Sequence, residues 1–258
     1  MEVRPCPGDP SMHGARAERP WPLEAQAMGW TEDEVRALAP ILERVEAALG
    51  QLACARVLVL CSAGGDLALR LVPMLEGKGR VVGLELDPVL LRIASGRAAY
   101  SPLAYLLEFK RAERARIPYP DASFDALVSE FIVHPSPAPT EIGQREMARV
   151  LRHGGRLVLT DVIAHPMPSP EDRLALRSIG LGYICDASVK DFEAWMSEAG
   201  LVDVRVDDVS EKVRPGWEGR RQSDRMSGRT AAYELLLGKG KHSLGKGIRY
   251  VLASGSKG

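Results

Sequence analysis

Val57-Leu58-Val59-Leu60-Cys61-Ser62-Ala63-Gly64-Gly65-Asp66-Leu67 reads as an apolar strand that turns through small residues into a helix. Such a turn leaves backbone amides and a helix start facing outward at the strand end, where Cys61, Ser62, Ala63 and Gly65 approach polar or anionic groups of a cofactor. Twenty positions beyond Gly65, Glu85 closes the apolar run Val81-Val82-Gly83-Leu84. A carboxylate at that place accepts two hydroxyl hydrogen bonds, the chemistry that holds a ribose diol in doubly wound sheets. Asp87 precedes Pro88 and reads as a helix N-cap rather than a second ligand.

Other reactive residues are more ambiguous. His134, in Phe131-Ile132-Val133-His134-Pro135 just past a strand, is the candidate catalytic base; a histidine that orients a loop before proline fits the same residues. His165, in His165-Pro166-Met167-Pro168, reads first as part of a turn. Cys185 reads as an ordinary buried thiol. No cysteine or histidine spacing suggests a metal. Gly238-Lys239-Gly240-Lys241-His242-Ser243 lacks the spacing of a phosphate loop and reads as an exposed basic turn.

The elements that must hold these residues alternate between short β-branched or leucine runs and helical stretches, the pattern of βαβ units around a parallel sheet. Strands are expected at Val57–Cys61, Arg80–Leu86, Leu106–Lys110, Asp125–Glu130, Arg156–Asp161, Asp203–Val209 and Ile248–Leu252. Helices are expected near Asp66–Leu75, Pro88–Arg97, Glu141–Leu151, Pro170–Ile179 and Val189–Ala199, with caps at Ser169 and Ser188. Upstream, Thr31 to Glu34 resembles a capping box before a helical pattern through Leu49, with a kink or break expected at Pro40. The expected organisation is a flexible arm over 1–22, a helical cap over 23–52, and an α/β domain over 53–258. Within that domain an insertion at about 211–246 precedes the last strand; it suits a lid or substrate wall. Trp217 in it reads mainly as packing.

Hydrophobic residues at 45% and charged residues at 26% of the 258 are ordinary for a globular enzyme, and the formal net charge is zero. From Glu211 onward there are eleven Lys/Arg against four Asp/Glu, a local charge of +7. A solvated basic face is the simple reading of it, and an anionic partner the other. Four cysteines without paired spacing point to a reducing compartment, and the cytoplasm is expected. No run approaches membrane-spanning length, so no membrane association is expected.

Several ordered motifs resemble the class I S-adenosylmethionine-dependent methyltransferases, especially the subgroup of ubiquinone/menaquinone C-methyltransferases. They are the turn and acid just described, Ala112-Glu113-Arg114 through Ser123-Phe124-Asp125, Arg145-Glu146-Met147 through Leu157-Val158-Leu159, and Phe192 through Val206 with Ala199-Gly200-Leu201. The resemblance runs from about Val57 to Val209. It implies a Rossmann-like three-layer αβα sandwich, with a seven-stranded mostly parallel sheet and a reversed last strand. It also implies S-adenosyl-L-methionine as cofactor and S-adenosyl-L-homocysteine as product. By resemblance Glu85, with Leu86 beside it, holds the ribose; Glu113 takes the adenine amino group; the backbone around Arg114 meets the ring edge; and Ser129 and Glu130 approach the methionine portion near the sulfonium. The chain departs from the family where Val59 replaces a usual acid and where Cys61 and Ala63 replace usual glycines. The implied function is methyl transfer to a small-molecule acceptor by a monomer or homodimer. Alternatives are a non-catalytic regulatory or assembly module, favoured by the altered first motif, and a methyltransferase acting on RNA or protein, favoured by the basic tail. Nucleic acid is not the expected partner.

Overall fold

The computed structural model describes residues 32–60, 64–112, 116–130, 143–179, 181, 184–224 and 227–258. The arm over 1–22 and the Thr31 cap therefore lie outside the described residues. Helix α1 (Glu32–Leu49) places Ile41, Val45 and Leu49 on one buried stripe at helical spacing. It passes Pro40 as one element instead of ending there.

The sheet follows the βαβ rhythm. In chain order come β1 (Arg56–Leu60), α2 (Asp66–Leu71), β2 (Arg80–Glu85), α3 (Pro88–Ala99), β3 (Leu107–Arg111), β4 (Phe124–Glu130), α4 (Gln144–Val150) and β5 (Leu151–Ala164). The second half adds α5 (Pro170–Ser178), β6 (Cys185–Asp186), α6 (Val189–Glu198), β7 (Leu201–Asp208), α7 (Ser210–Ser223), α8 (Thr230–Leu237) and β8 (Ile248–Lys257). The strand order is β3-β2-β1-β4-β5-β8-β7, and β8 runs antiparallel to both neighbours. This is the expected mostly parallel Rossmann-like sheet with a reversed last strand. The two-residue β6, which the sequence did not signal, pairs in parallel with the far end of β5.

Side chains alternate across the pleat, so the strands feed two apolar layers. Val57, Val59, Ala126, Val128, Val158 and Val162 pack with α1, α2, α7 and α8. Leu58, Leu60, Leu84, Leu127, Leu157, Leu159 and Ile163 pack with α4 and α6. Val59, which replaces a family acid, is core, at 1% exposure.

The segment expected as a lid or substrate wall is packed against the core along one helix. Pro215, Gly216 and Gly219 give it the composition of a loop, yet Ser210–Ser223 is helical and lays Val213 and Trp217 against α1 and β8. Trp217 is 1% exposed and its Nε1 donates to the Tyr250 hydroxyl at 3.1 Å. Much of the basic tail is spent internally: Arg214 donates to Leu244 O, Lys246 to Lys239 O, and Arg220 lies buried over the Trp217 ring. The expected exposed basic turn is only partly so. Lys239 and Lys241 are exposed, whereas His242 and Ser243 are buried. Cys185 is a buried free thiol as read, but Cys54 is disulfide-bonded, which the reading of a reducing compartment did not anticipate. Among the described residues no helix is long and apolar enough to cross a membrane.

Candidate functional site

The parallel strands present their carboxyl ends at one rim. Leu60 is level with Leu84 on one side and Ser129 on the other, and Glu130 is level with Thr160. Glu85 stands one residue beyond Leu84. The expected residues Glu85, Ser129 and Glu130 are thus brought to one edge, with β2 and β4 separated by β1, a span of about 10 Å from the usual strand spacing.

Glu85 is 5% exposed, and its Oε1 accepts from Leu86 N at 2.8 Å and Asp87 N at 2.9 Å. Those two bonds fix the carboxylate at the strand end. Beside it Leu86 and Val89 leave 39% and 51% of their surfaces open, an apolar patch next to an anchored acid. Asp87 caps α3 as read, accepting from Val89 N and Leu90 N.

Of the small-residue turn, Gly64 and Gly65 are described, and Cys61, Ser62 and Ala63 lie outside the described residues. Gly65 has φ +91°, and an added Cβ would come within 2.8 Å of the Phe109 ring and 3.2 Å of Ala94. Only glycine meets both demands. Arg97 on α3 braces the turn, donating to Gly64 O and to Asp66 Oδ1, each at 2.8 Å. No expectation singled out Arg97; its spacing from the turn is nonlocal.

Glu113, Arg114 and His134 also lie outside the described residues, as does the side chain of Glu130. The segment that follows Glu113 and Arg114 is described and tightly held. Glu146 Oε1 accepts from Ile117 N, and Arg149 donates to Ile117 O and Tyr119 O. Arg149, with the Ile117 bond second to it, holds the Glu146 carboxyl below the ordinary carboxylate range.

Beside the expected Ser129 the rim carries two residues that the sequence reading passed over, Thr160 and Asp161. Ser129, Thr160 and Asp161 are buried, at 0%, 3% and 4% exposure. Ser129 Oγ, Thr160 Oγ1 and Asp161 Oδ2 have no hydrogen-bond partner. Buried polar atoms are nearly always paired; Ser129 and Asp161, on the same face of β4 and β5, mark a place where a polar ligand completes the bonding, whereas Thr160 lies on the opposite face. Burial pushes the Asp161 carboxyl up to about 8. The signal was available, since Asp161 is an acid inside a strand run, Leu157 to Ala164, that is otherwise apolar but for Thr160. His165 is elsewhere in character: exposed, with its ring nitrogen 3.1 Å from Asp186 Oδ1.

Residues 60–159 match the family described as a methyltransferase domain. The chain is 30% identical over 224 residues to the 27-O-demethylrifamycin SV methyltransferase of Amycolatopsis mediterranei (strain S699), covering 82% of this chain and 81% of that one. It is 38% identical over 109 residues to the demethylmenaquinone methyltransferase of Deinococcus radiodurans, covering 41% of this chain and 42% of that one. Among solved structures, geranyl diphosphate C-methyltransferase from Streptomyces coelicolor A3(2), crystallised with S-adenosyl-L-homocysteine, superposes with a TM-score of 0.69 at 18% identity, over 90% of this chain and 88% of that one.

Proposed function

This chain belongs to the class I S-adenosylmethionine-dependent methyltransferases and methylates a small-molecule acceptor; we propose how its own residues hold the cofactor and receive that acceptor. When bound, S-adenosylmethionine supplies an electrophilic methyl group on a sulfonium. The described residues suit it in chemical type. Glu85, anchored by two amides, accepts the ribose hydroxyls, with Leu86 and Val89 as the apolar bed beside it. Gly65 lets the backbone approach closely, and the neighbouring Cys61, Ser62 and Ala63 complete the turn. Glu113 and the backbone at Arg114 read adenine; further along the chain, Ile117 and Tyr119 are held by the Glu146–Arg149 clasp. Ser129 and Glu130 face the methionine portion and the reacting centre.

Methyl transfer needs an in-line approach and a nucleophile freed of its proton. The observation that carries this reading is the rim itself: an anchored buried acid on β2, the unpartnered buried Ser129 hydroxyl about 10 Å away on β4, and Asp161 one strand further on β5. His134 is a candidate base from its place after β4. The acceptor is a small organic molecule, and a hydroxylated polycyclic or macrocyclic compound of the rifamycin or quinone type is the first to try, by likeness to the relatives named above. The internal use of Arg214, Arg220 and Lys246 supports a small molecule over nucleic acid. We place the activity in the cytoplasm, in a monomer or homodimer.

Calorimetric titration with S-adenosylmethionine and S-adenosylhomocysteine tests the site. Micromolar binding that drops at least tenfold in Glu85→Ala is expected. Equal binding by the variant, or none by the folded wild-type protein, would refute the assignment.

A further inference from the structure

Asp161 lies at a break in the sheet. On one flank of β5, pairing with β4 ends at Glu130↔Thr160, and pairing with β6 begins at Ile163↔Cys185. Asp161 and Val162 lie between. On the other flank Val162 is level with Tyr250 of β8, whose own backbone turns toward β7: Val209 N donates to Tyr250 O at 2.7 Å, and Tyr250 N donates to Ser210 Oγ at 3.0 Å. In an antiparallel ladder the facing residue then turns its amide the opposite way, so Val162 N points into the break. Asp161 Oδ1 accepts it at 2.7 Å. One carboxylate oxygen therefore repairs the sheet, and repair fixes the direction of the other.

That other oxygen, Oδ2, is buried and unpartnered. Ser129 is level with Leu159, two residues before Asp161, so the two side chains lie on the same face about 7 Å apart along the strands. A group of one or two atoms fits between them, at the strand ends that face the sulfonium in the reading above. The surroundings are apolar: Leu159, Ile163 and Val251 belong to the layer on this face.

Resting on that cofactor site, we propose that Asp161 Oδ2 takes the acceptor's proton during methyl transfer, and that the acceptor atom is a hydroxyl oxygen donating to Oδ2 and accepting from Ser129 Oγ. As the new carbon–oxygen bond forms, the methyl–sulfur bond breaks and its electron pair stays on sulfur. The hydroxyl proton moves to Asp161. A carboxylate and a sulfonium enter; a carboxylic acid and a thioether result. A dry site favours that mutual neutralisation. An amine would instead be held by the carboxylate as ammonium, its lone pair unavailable.

Among described residues, the titratable group facing Asp161 is Cys185 on β6, whose thiol is pushed up first by burial and then by Asp161. Asp186 and Asp191 act on Cys185 from further out. From β4 comes Ser129, from β8 Val251 and from α6 Phe192, all uncharged.

The test begins without an acceptor. Between pH 6 and 9, S-adenosylmethionine should bind wild-type protein roughly tenfold tighter at the alkaline end, because its cation stabilises ionised Asp161, whereas neutral S-adenosylhomocysteine should show no such gain. In Asp161→Asn, which keeps the bond from Val162 N, the gain should vanish while both ligands still bind. A gain that persists in Asp161→Asn, or equal behaviour of the two ligands in wild type, overturns the proposal; loss of all binding refutes the cofactor site itself. Radiolabelled transfer to catechol, benzylamine and thiophenol then reads the acceptor atom. Transfer to catechol whose alkaline limb is lost in Asp161→Asn supports the assignment. Transfer to the amine or thiol alone, or a limb lost in His134→Ala and kept in Asp161→Asn, assigns the proton elsewhere and overturns it.

Discussion

Glu146 and Arg149, one turn apart on α4, grip the same backbone from two sides: Glu146 Oε1 takes the amide of Ile117 while Arg149 donates to the carbonyl of that residue at 3.1 Å. Arg149 also reaches Tyr119 O and Asp121 Oδ1. The clasp ties the stretch after Glu113 to a helix rooted in the core.

Replacing Arg149 by alanine should cost about 2–3 kcal/mol, because it strands a largely buried carboxylate and two carbonyls. It should also raise the KM for S-adenosylmethionine severalfold. Glu146 has its carboxyl held below 4.5, so its contribution is present above that value and is lost as pH falls through the lower folded value. Urea midpoints of wild type and Arg149→Ala at neutral and acid pH check both points; the two curves should converge in acid.

Gly65→Ala should be poorly tolerated. A Cβ at φ +91° is strained, and it meets Phe109 at 2.8 Å. A loss of about 1–2 kcal/mol and a weaker cofactor complex are expected, read by thermal melting with and without S-adenosylhomocysteine. The second variant Gly65→Ala/Phe109→Leu should recover part of the stability by opening that space.

Trp217 tests the role of α7. If this helix is core, Trp217→Phe should lower stability by about 1–2 kcal/mol, through lost area and the lost bond to the Tyr250 hydroxyl, and leave the KM values nearly unchanged. A large rise in acceptor KM with unaltered melting would return α7 to the role of substrate wall.

Asp161 should weigh on stability in a pH-dependent way. Its folded carboxyl sits at about 8 against an ordinary 3.8, so the folded state holds a proton that the unfolded state releases. Stability from this group is full below about 4 and declines as pH rises toward 8. Asp161→Asn should therefore melt above wild type at pH 8, and the difference should close near pH 4. Melting curves across that range decide it.

The rim was legible in part from local signals. Glu85 showed itself because an acid closing an apolar strand has no packing reason to be there, and Asp87 because proline follows it. Asp161 interrupts an apolar run instead of closing one, and its meaning depends on where β4 stops and β6 starts, neither boundary being written near residue 161. The length of β5 was underestimated for the same reason, since its extra residues Val162 to Ala164 pair with β8 and Leu151 at the other end pairs with Phe124 of β4. Helix α7 was hidden by Pro215 and two glycines, whose local preferences are overruled by the burial of Val213 and Trp217. The short fragment β6 has too few residues to carry any periodicity.

The reversed strand β8 also sets an order of assembly. β7 precedes β8 along the chain, yet β7 joins the sheet through β8, which lies between it and β5. A nascent chain that has finished β1 to β5 can close that half of the sheet by βαβ steps. β7 must wait with its backbone unpaired while 39 further residues, 209 to 247, are synthesised and β8 arrives. During that interval the exposed flanks of β5 and β7 are the surfaces on which a chaperone would act, and the places where a truncated chain would aggregate.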